Sequence, residues 1–321
     1  MIANTSISKT TKPRKAVIRW LLDSDPAIRW QVMRDLTKEP ENAFNTERRR
    51  VGLEGWGAQL LDLQNPDGTW GDDISTPKWS STLYTLVLLC DMGLDPTSEQ
   101  ARKMINLVRD GFRWPPEFGS PPFFEGEVEP CINGRVVALG VYFGEVNDRL
   151  VDRLLSEQLE DGGWNCEAPQ SQRSSFHTTI NVLEGLLAYE QARGITSAVS
   201  EARQRAQEYL LERRLLRRLS TGEVIDKKWT RFSFPTTWHY DILRGLDYLR
   251  SAGIKPDERV SEAVELVAKR QHQNGRWPLQ NPHPFPYDFR MEGPSGSASR
   301  WNTLRALRVL DWYYADEETI D

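Results

Sequence analysis

Cysteine, histidine and net positive charge are all in short supply in this chain, and each shortage closes off options. The 321 residues include three cysteines, an odd number and too few for a disulfide framework. That usage fits a reducing compartment, and the expected location is cytoplasmic. Only four histidines are present, so each soft metal ligand counts. A formal charge of -5 supplies no basic face for nucleic acid. No apolar run reaches the roughly 18 residues of a membrane span, so no integral membrane segment is expected. Residues 1–15 are polar and basic and lack the apolar stretch of a signal peptide. They read as a loose tail ahead of one domain spanning 16–321. Strand signals are scarce as well.

What the chain does have is tryptophan, twelve in all, with 39% hydrophobic and 27% charged residues. Three segments share the spacing Q-x-x-x-G-x-W: Gln64 to Trp70, Gln158 to Trp164 and Gln271 to Trp277. Each closes an amphipathic stretch, which predicts a helix end. Gly would take the left-handed residue that ends the helix, Trp would fold back over the last turn, and Gln would offer amide donors to the loop. After each comes a second apolar helix with a small residue before Leu. The pairs are Thr85-Leu86, Ala138-Leu139, Gly185-Leu186, Gly245-Leu246 and Ala306-Leu307, with Asp35-Leu36 a weaker sixth. A small residue at that point permits close helix approach. Partner helices are predicted near 55–64, 98–110, 147–158, 198–217 and 258–271, several with capping residues at their starts. About six helix pairs result, and the second, more apolar helix of each pair is assigned to an inner layer.

The Q-x-x-x-G-x-W segments resemble the QW repeats of squalene and oxidosqualene cyclases. The paired helices resemble the wider superfamily that those cyclases share with protein prenyltransferase β-subunits. The resemblance covers roughly residues 20 to 315. It implies an all-α fold, an (α/α)6 toroid closed around a central cavity, with the cavity mouth at the inner-helix starts. It also implies a small apolar substrate of the isoprenoid kind. The prenyltransferase likeness is sharpest at one place. In that family an Asp-x-Cys element, a G-G loop and a Tyr-His-Thr element contribute zinc ligands. Here Glu129-Pro130-Cys131, Gly162-Gly163 and Phe176-His177-Thr178 stand in the same order.

The departures are equally informative. The run F-F-E-G-E-V-E-P before Cys131 is acidic and Ile132 follows it, so a diphosphate would meet Glu125, Glu127 and Glu129. That speaks against ordinary protein prenylation. The D-x-D-D element with which the cyclases begin acid catalysis is absent, and Asp72 and Asp73 follow a repeat Trp in a different context.

Three sets of residues are candidates for chemistry. Cys131, Cys166 and His177, with Glu129 or water as a fourth donor, suit Zn²⁺ in an open site. The competing reading is two small buried thiols and a hydrogen-bonded histidine. His239, Tyr240 and Asp241 crowd the start of the fifth inner helix, where His239 and Asp241 could act as acid and base. Alternatively, Asp241 caps its helix. Trp79, Phe176, Trp238, Arg300, Trp301 and Asn302 stand at or near inner-helix starts. They are the expected substrate contacts, aromatic faces for an apolar or cationic ligand and Arg300 for an anion. The favoured function is a terpene cyclase- or prenyltransferase-like enzyme with zinc. The alternatives are a proton-initiated cyclase using Asp241 or Asp72 and Asp73, and a non-catalytic binding toroid.

Overall fold

Helix starts follow the polar caps in the sequence. Asp25, Ser98, Ser175, Asp241 and Ser299 each accept a backbone N–H from the first turn of the helix that follows. Gly93 and Gly144 end two helices in the left-handed conformation, at φ 85° and 83°. In the computed structural model, residues 15–72, 77–283 and 290–315 are described. Their helices are α1 (Lys15–Leu22), α2 (Pro26–Asp35), α3 (Glu41–Arg49), α4 (Gly55–Asp62), α5 (Lys78–Met92), α6 (Glu99–Gly111) and α7 (Pro130–Phe143). They continue with α8 (Asp148–Ser156), α9 (Phe176–Arg193), α10 (Ser197–Glu212), α11 (Ile242–Ser251), α12 (Ser261–Lys269) and α13 (Arg300–Tyr314). One two-stranded antiparallel piece joins β1 (Trp277–Pro278) to β2 (Ala298–Ser299).

Helices α2, α5, α7, α9, α11 and α13 form a closed inner ring. Neighbours α5–α7, α7–α9, α9–α11 and α11–α13 pack against one another. Trp30 Nε1 of α2 donates to Met92 O at 2.7 Å, and Gln31 Nε2 donates to Asp91 O at 3.0 Å, which joins α2 to α5. Arg308 of α13 donates to Gln31 Oε1 at 2.7 Å and closes the circle. The chain is thus the all-α toroid expected from its repeats, with α1, α4, α6, α8, α10 and α12 as the outer layer and α3 as an addition after the first pair.

Each Q-x-x-x-G-x-W segment ties three helices together. Trp70, Trp164 and Trp277 are fully buried, and each indole N–H donates at 2.7 Å to a carbonyl ten residues earlier, on Leu60, Leu154 and Val267. Their backbone N–H groups donate to Thr82, Thr179 and Thr303, one buried threonine on each following inner helix. Gln64 and Gln158 reach the next outer helix through Met104 O and Ala202 O. Gly68, Gly162 and Gly275 are left-handed, as expected, but each lies in the turn beyond the helix rather than at its last residue. The small residues also act as expected at Gly185, where a Cβ would stand 2.2 Å from Gly134 O across the α7–α9 contact.

Candidate functional site

The ring has two ends of different character. The cavity inside it, about 290 Å³, is lined by Asp91, Gln191 and Ser251 in the last turns of α5, α9 and α11. These three residues are exposed, so the cavity opens at the inner-helix ends. At the inner-helix starts, where the mouth was expected, aromatic side chains of the described residues crowd the entrances of α9 and α11. Phe176 packs against Tyr209, Trp229 and Tyr240 with ring centroids 4.7–5.3 Å apart. Trp238 stacks on His239 at 3.8 Å, and His239 stacks on His283 at 3.5 Å.

The cavity wall is charged rather than greasy. Arg135, Arg244, Arg305 and Arg308 line it, with Asp91, Glu184 and Asp247. Phe234 and Trp301, stacked at 4.1 Å, form an apolar floor. Glu184 binds both Arg244, at 2.8 and 2.9 Å, and Arg135, at 2.5 Å. Burial alone would raise the Glu184 carboxyl, but the two guanidiniums outweigh it and hold the group at about 2. Asp91 is different. Its surroundings of protein push it up to about 6, Arg135 draws it back down, and Glu184 pushes it up again. Because Asp91 is open to the cavity, water moderates that push.

Of the residues expected to contact substrate, Trp301 lines the cavity. Arg300 points away, over the Trp20 ring at 4.7 Å and onto Asp23 O at 3.0 Å. Asn302 is buried and donates to Pro278 O, a clamp on the preceding loop. Trp79 packs near Trp114 and Phe118, and Phe176 lies in the aromatic plug. Trp238 is 43% exposed on the outer side of the plug.

The proposed acid–base group divides in the same way. Asp241 caps α11 through the Arg244 N–H at 2.8 Å, and its other oxygen receives the Ser233 N–H and hydroxyl. Tyr240 OH donates to Leu215 O at 2.8 Å. The imidazole of His239 bonds Thr237 Oγ1 at 2.9 Å rather than Asp241. These three side chains hold the plug together, and none is on the cavity lining. Asp72 is exposed, and Asp73 lies outside the described residues.

At the same end, Glu129, Cys131 and Cys166 come together, their donor atoms all within 4.8 Å of one another. Cys131 Sγ is 3.5 Å from Glu129 Oε2, and Cys166 Sγ is 3.4 Å from Thr178 Oγ1. The hydrogen bond between the thiols pushes Cys131 up and Cys166 down, and burial adds to the first. His177 is outside this group. Its Nδ1 accepts the Tyr240 N–H at 2.8 Å, which leaves the proton of the neutral ring on Nε2. Burial and then the neighbouring His239 bring His177 down to about 4.

The cavity arginines and Asp91 were not singled out from the sequence. A signal existed: Glu184, Arg244 and Arg305 each stand one place before the small residue of the small–Leu pair. A charge repeated inside the apolar helices marks a polar stripe facing the ring axis.

No family model matches the chain, and no curated protein matches it. Among solved structures it is similar to the type II terpene cyclase MstE from Scytonema, at 19% identity over 89% of this chain and 86% of that one, with TM-score 0.46. A variant of MstE in complex with its substrate geranylgeranyl dihydroxybenzoate matches at 17% identity over 90% and 87%, with TM-score 0.45. A protein from Actinoplanes matches at 16% identity over 93% and 98%, with TM-score 0.46. The ring described above rests on the contacts of this chain alone.

Proposed function

We propose that this chain is a terpene-cyclase-like enzyme that takes a small isoprenoid-type substrate into the central cavity and protonates it from Asp91. One observation carries the reading. Asp91 is a carboxyl group on the cavity wall, pushed above the usual carboxylate range, within a ring whose other lining carboxylates are bound by arginine. An acid is most effective when it holds its proton near the working pH, and Asp91 meets that condition where Glu184 does not. The Phe234–Trp301 floor offers an aromatic face to an apolar chain or to positive charge forming on it. The Q-x-x-x-G-x-W repeats support the isoprenoid half of the reading. The test is turnover of a panel of prenyl alcohols and prenyl acids by wild type, Asp91→Asn and Asp91→Glu. Asp91→Asn should lose at least 100-fold with its circular dichroism unchanged, and the wild-type rate should fall as pH rises above about 6. Undiminished turnover by Asp91→Asn would sink the acid role. Binding of a prenyl compound without turnover in any variant would make the ring a binding protein.

A second proposal concerns zinc, favoured by the meeting of Glu129, Cys131 and Cys166. Two sulfurs and a carboxylate fit the ion, and a three-ligand site keeps a position open for water or a thiol. Thr236 to Tyr240 separates this site from the cavity, because Arg135 and Arg244 bond Thr237 O from the cavity side and His177 bonds the Tyr240 N–H from the other. Zinc should copurify at one equivalent after growth in zinc-replete medium and should be lost in Cys131→Ala. Substoichiometric zinc in the wild-type protein ends this proposal.

A further inference from the structure

The cavity wall holds more positive than negative charge, and the surplus is concentrated on α13. Asp247 lies 3.8 Å from Arg305 Nε, yet Arg250 Nε already donates to it at 2.9 Å. Asp35 pairs with Arg308, yet Arg34 holds both of its oxygens, at 2.6 and 3.0 Å. Four guanidiniums therefore share two carboxylates. Across the ring Arg135 and Arg244 share Glu184. The remaining lining acid is Asp91, and behind the lining the buried Asp241 feels Arg305 and Arg244, so these two carboxyls together neutralise at most two of the three surplus charges.

The arginines concerned are not solvated surface groups. Arg305, Arg308 and Arg135 are 7%, 8% and 8% exposed. Arg305 bonds Ser233 O at 3.2 Å, and Nε of both Arg308 and Arg135 is buried without a hydrogen-bond partner. Arg305 and Arg308 stand three residues apart on α13, so they project to the same side of the helix. Buried guanidiniums short of counter-charge are costly, and an anion supplied from outside removes the cost. Guanidinium is also the group best shaped to hold carboxylate or phosphate oxygens in pairs.

We propose that Arg305 and Arg308, with Arg135 on the same wall, form a binding site for the anionic group of a small-molecule ligand, a carboxylate or phosphate, that enters from the inner-helix ends. The inference deepens the reading of the cavity as a substrate site by naming the head group, and it rests on that reading only where the ligand is called a substrate. It also removes a difficulty. Uncompensated guanidiniums oppose positive charge forming on a substrate and draw Asp91 down. A bound anion offsets both effects and lets Asp91 keep its proton to higher pH.

The experiment is isothermal titration of the full-length protein with benzoate and, separately, with inorganic pyrophosphate, without turnover. At least one should bind saturably and more weakly as salt is raised. Saturation by benzoate alone identifies a carboxylate head, by pyrophosphate alone a phosphate, and mutual competition a site that accepts either. Arg305→Met and Arg308→Met should each weaken binding at least 10-fold, while Arg113→Met, an exposed arginine remote from the cavity, should not. Arg305→Lys keeps the charge and guards against loss of fold; it should bind measurably but less tightly than wild type. Asp91→Asn should bind the anion more tightly, because a like charge is gone, whether or not Asp91 proves to be the acid. No saturable binding of either anion overturns the proposal, as does equal affinity in wild type and both Met variants.

Discussion

Glu184→Gln is the sharpest test of how this ring is held together. The Glu184 carboxylate sits between two guanidiniums that are 10% and 4% exposed, and it binds both. Holding the group at about 2 against 4.5 in the free chain corresponds to about 3 kcal/mol at neutral pH. Gln keeps the shape and removes the charge, leaving Arg135 and Arg244 uncompensated, a change that typically costs about 3–5 kcal/mol. At about 2–4 °C per kcal/mol for a domain of this size, the melting temperature should fall by about 6–20 °C. Urea and thermal unfolding at pH 7 measure it. Because the folded group titrates below the unfolded one, its contribution is complete above pH 4.5 and is lost as pH falls toward 2. The gap between wild type and variant should therefore narrow over that window. The triple variant with Arg135→Met and Arg244→Met should recover part of the loss, since well-packed apolar groups often replace a buried ionic cluster at little cost. A loss under about 1 kcal/mol at pH 7, or a gap that persists unchanged toward pH 2, would refute the account.

The plug yields a second pH dependence. His177, His239 and His283 are each brought down to about 4, by burial first, so the unfolded chain takes up protons that the fold refuses. Stability should fall as pH drops from 6.5 toward 4, and His239→Asn should flatten the urea midpoint between pH 7 and 5. Asp91 and Glu127, raised to about 6 and about 7, work in the opposite direction, so variant and wild type must be compared at each pH. Identical midpoint profiles would contradict the assignment. Gly185→Ala places a Cβ 2.2 Å from Gly134 O and should cost about 1–3 kcal/mol in urea unfolding, whereas a neutral result would mean α7 and α9 can separate freely. Trp164→Phe removes the 2.7 Å bond to the Leu154 backbone carbonyl and should cost about 1–3 kcal/mol in urea unfolding, whereas an unchanged midpoint would mean that the bond contributes nothing to stability.

The repeats were legible because they are local. Gln, Gly and Trp at fixed spacing specify a turn, and the small–Leu pairs specify which face approaches a neighbour, so six pairs and their order followed from pattern alone. The partner helices predicted near 98–110 and 147–158 appear as Glu99–Gly111 and Asp148–Ser156. Direction along the ring was less legible. Inner-helix starts carry the conspicuous residues, His177, Trp238 and Arg300, and they drew the site to that end. Among the described residues, aromatic bulk packs around the starts of α9 and α11 there, and Asp241 proves to be a cap, since a carboxylate just before a helix meets the free N–H groups first. The meeting of Cys131 with Cys166 was foreseeable from the order of the elements. The outward turn of His177 was not, because it depends on the Tyr240 N–H, contributed by a segment 63 residues away.

The polarity of the ring gives its two ends different proton chemistry. The inner helices alternate with outer ones, so all six run in the same direction. Their N-termini gather at the plug, where the partial positive charge of helix starts disfavours a protonated imidazole. His177 in the first turn of α9 and His239 just before α11 stand in that field, which acts with burial to keep them neutral. Their C-termini gather at the opening, where the free carbonyls disfavour a negative charge. Asp91, in the last turn of α5, stands there at the cavity opening, and the carbonyls add to the surrounding protein that favours its protonated form. The field fades within about one turn of a helix end. Arg305 and Arg308 lie in the middle of α13, beyond its reach, and the carbonyls therefore cannot supply their missing counter-charge. An acid that keeps its proton at the rim and a guanidinium pair that lacks an anion farther in are consequences of one arrangement: parallel helices whose C-terminal ends meet at an open cavity.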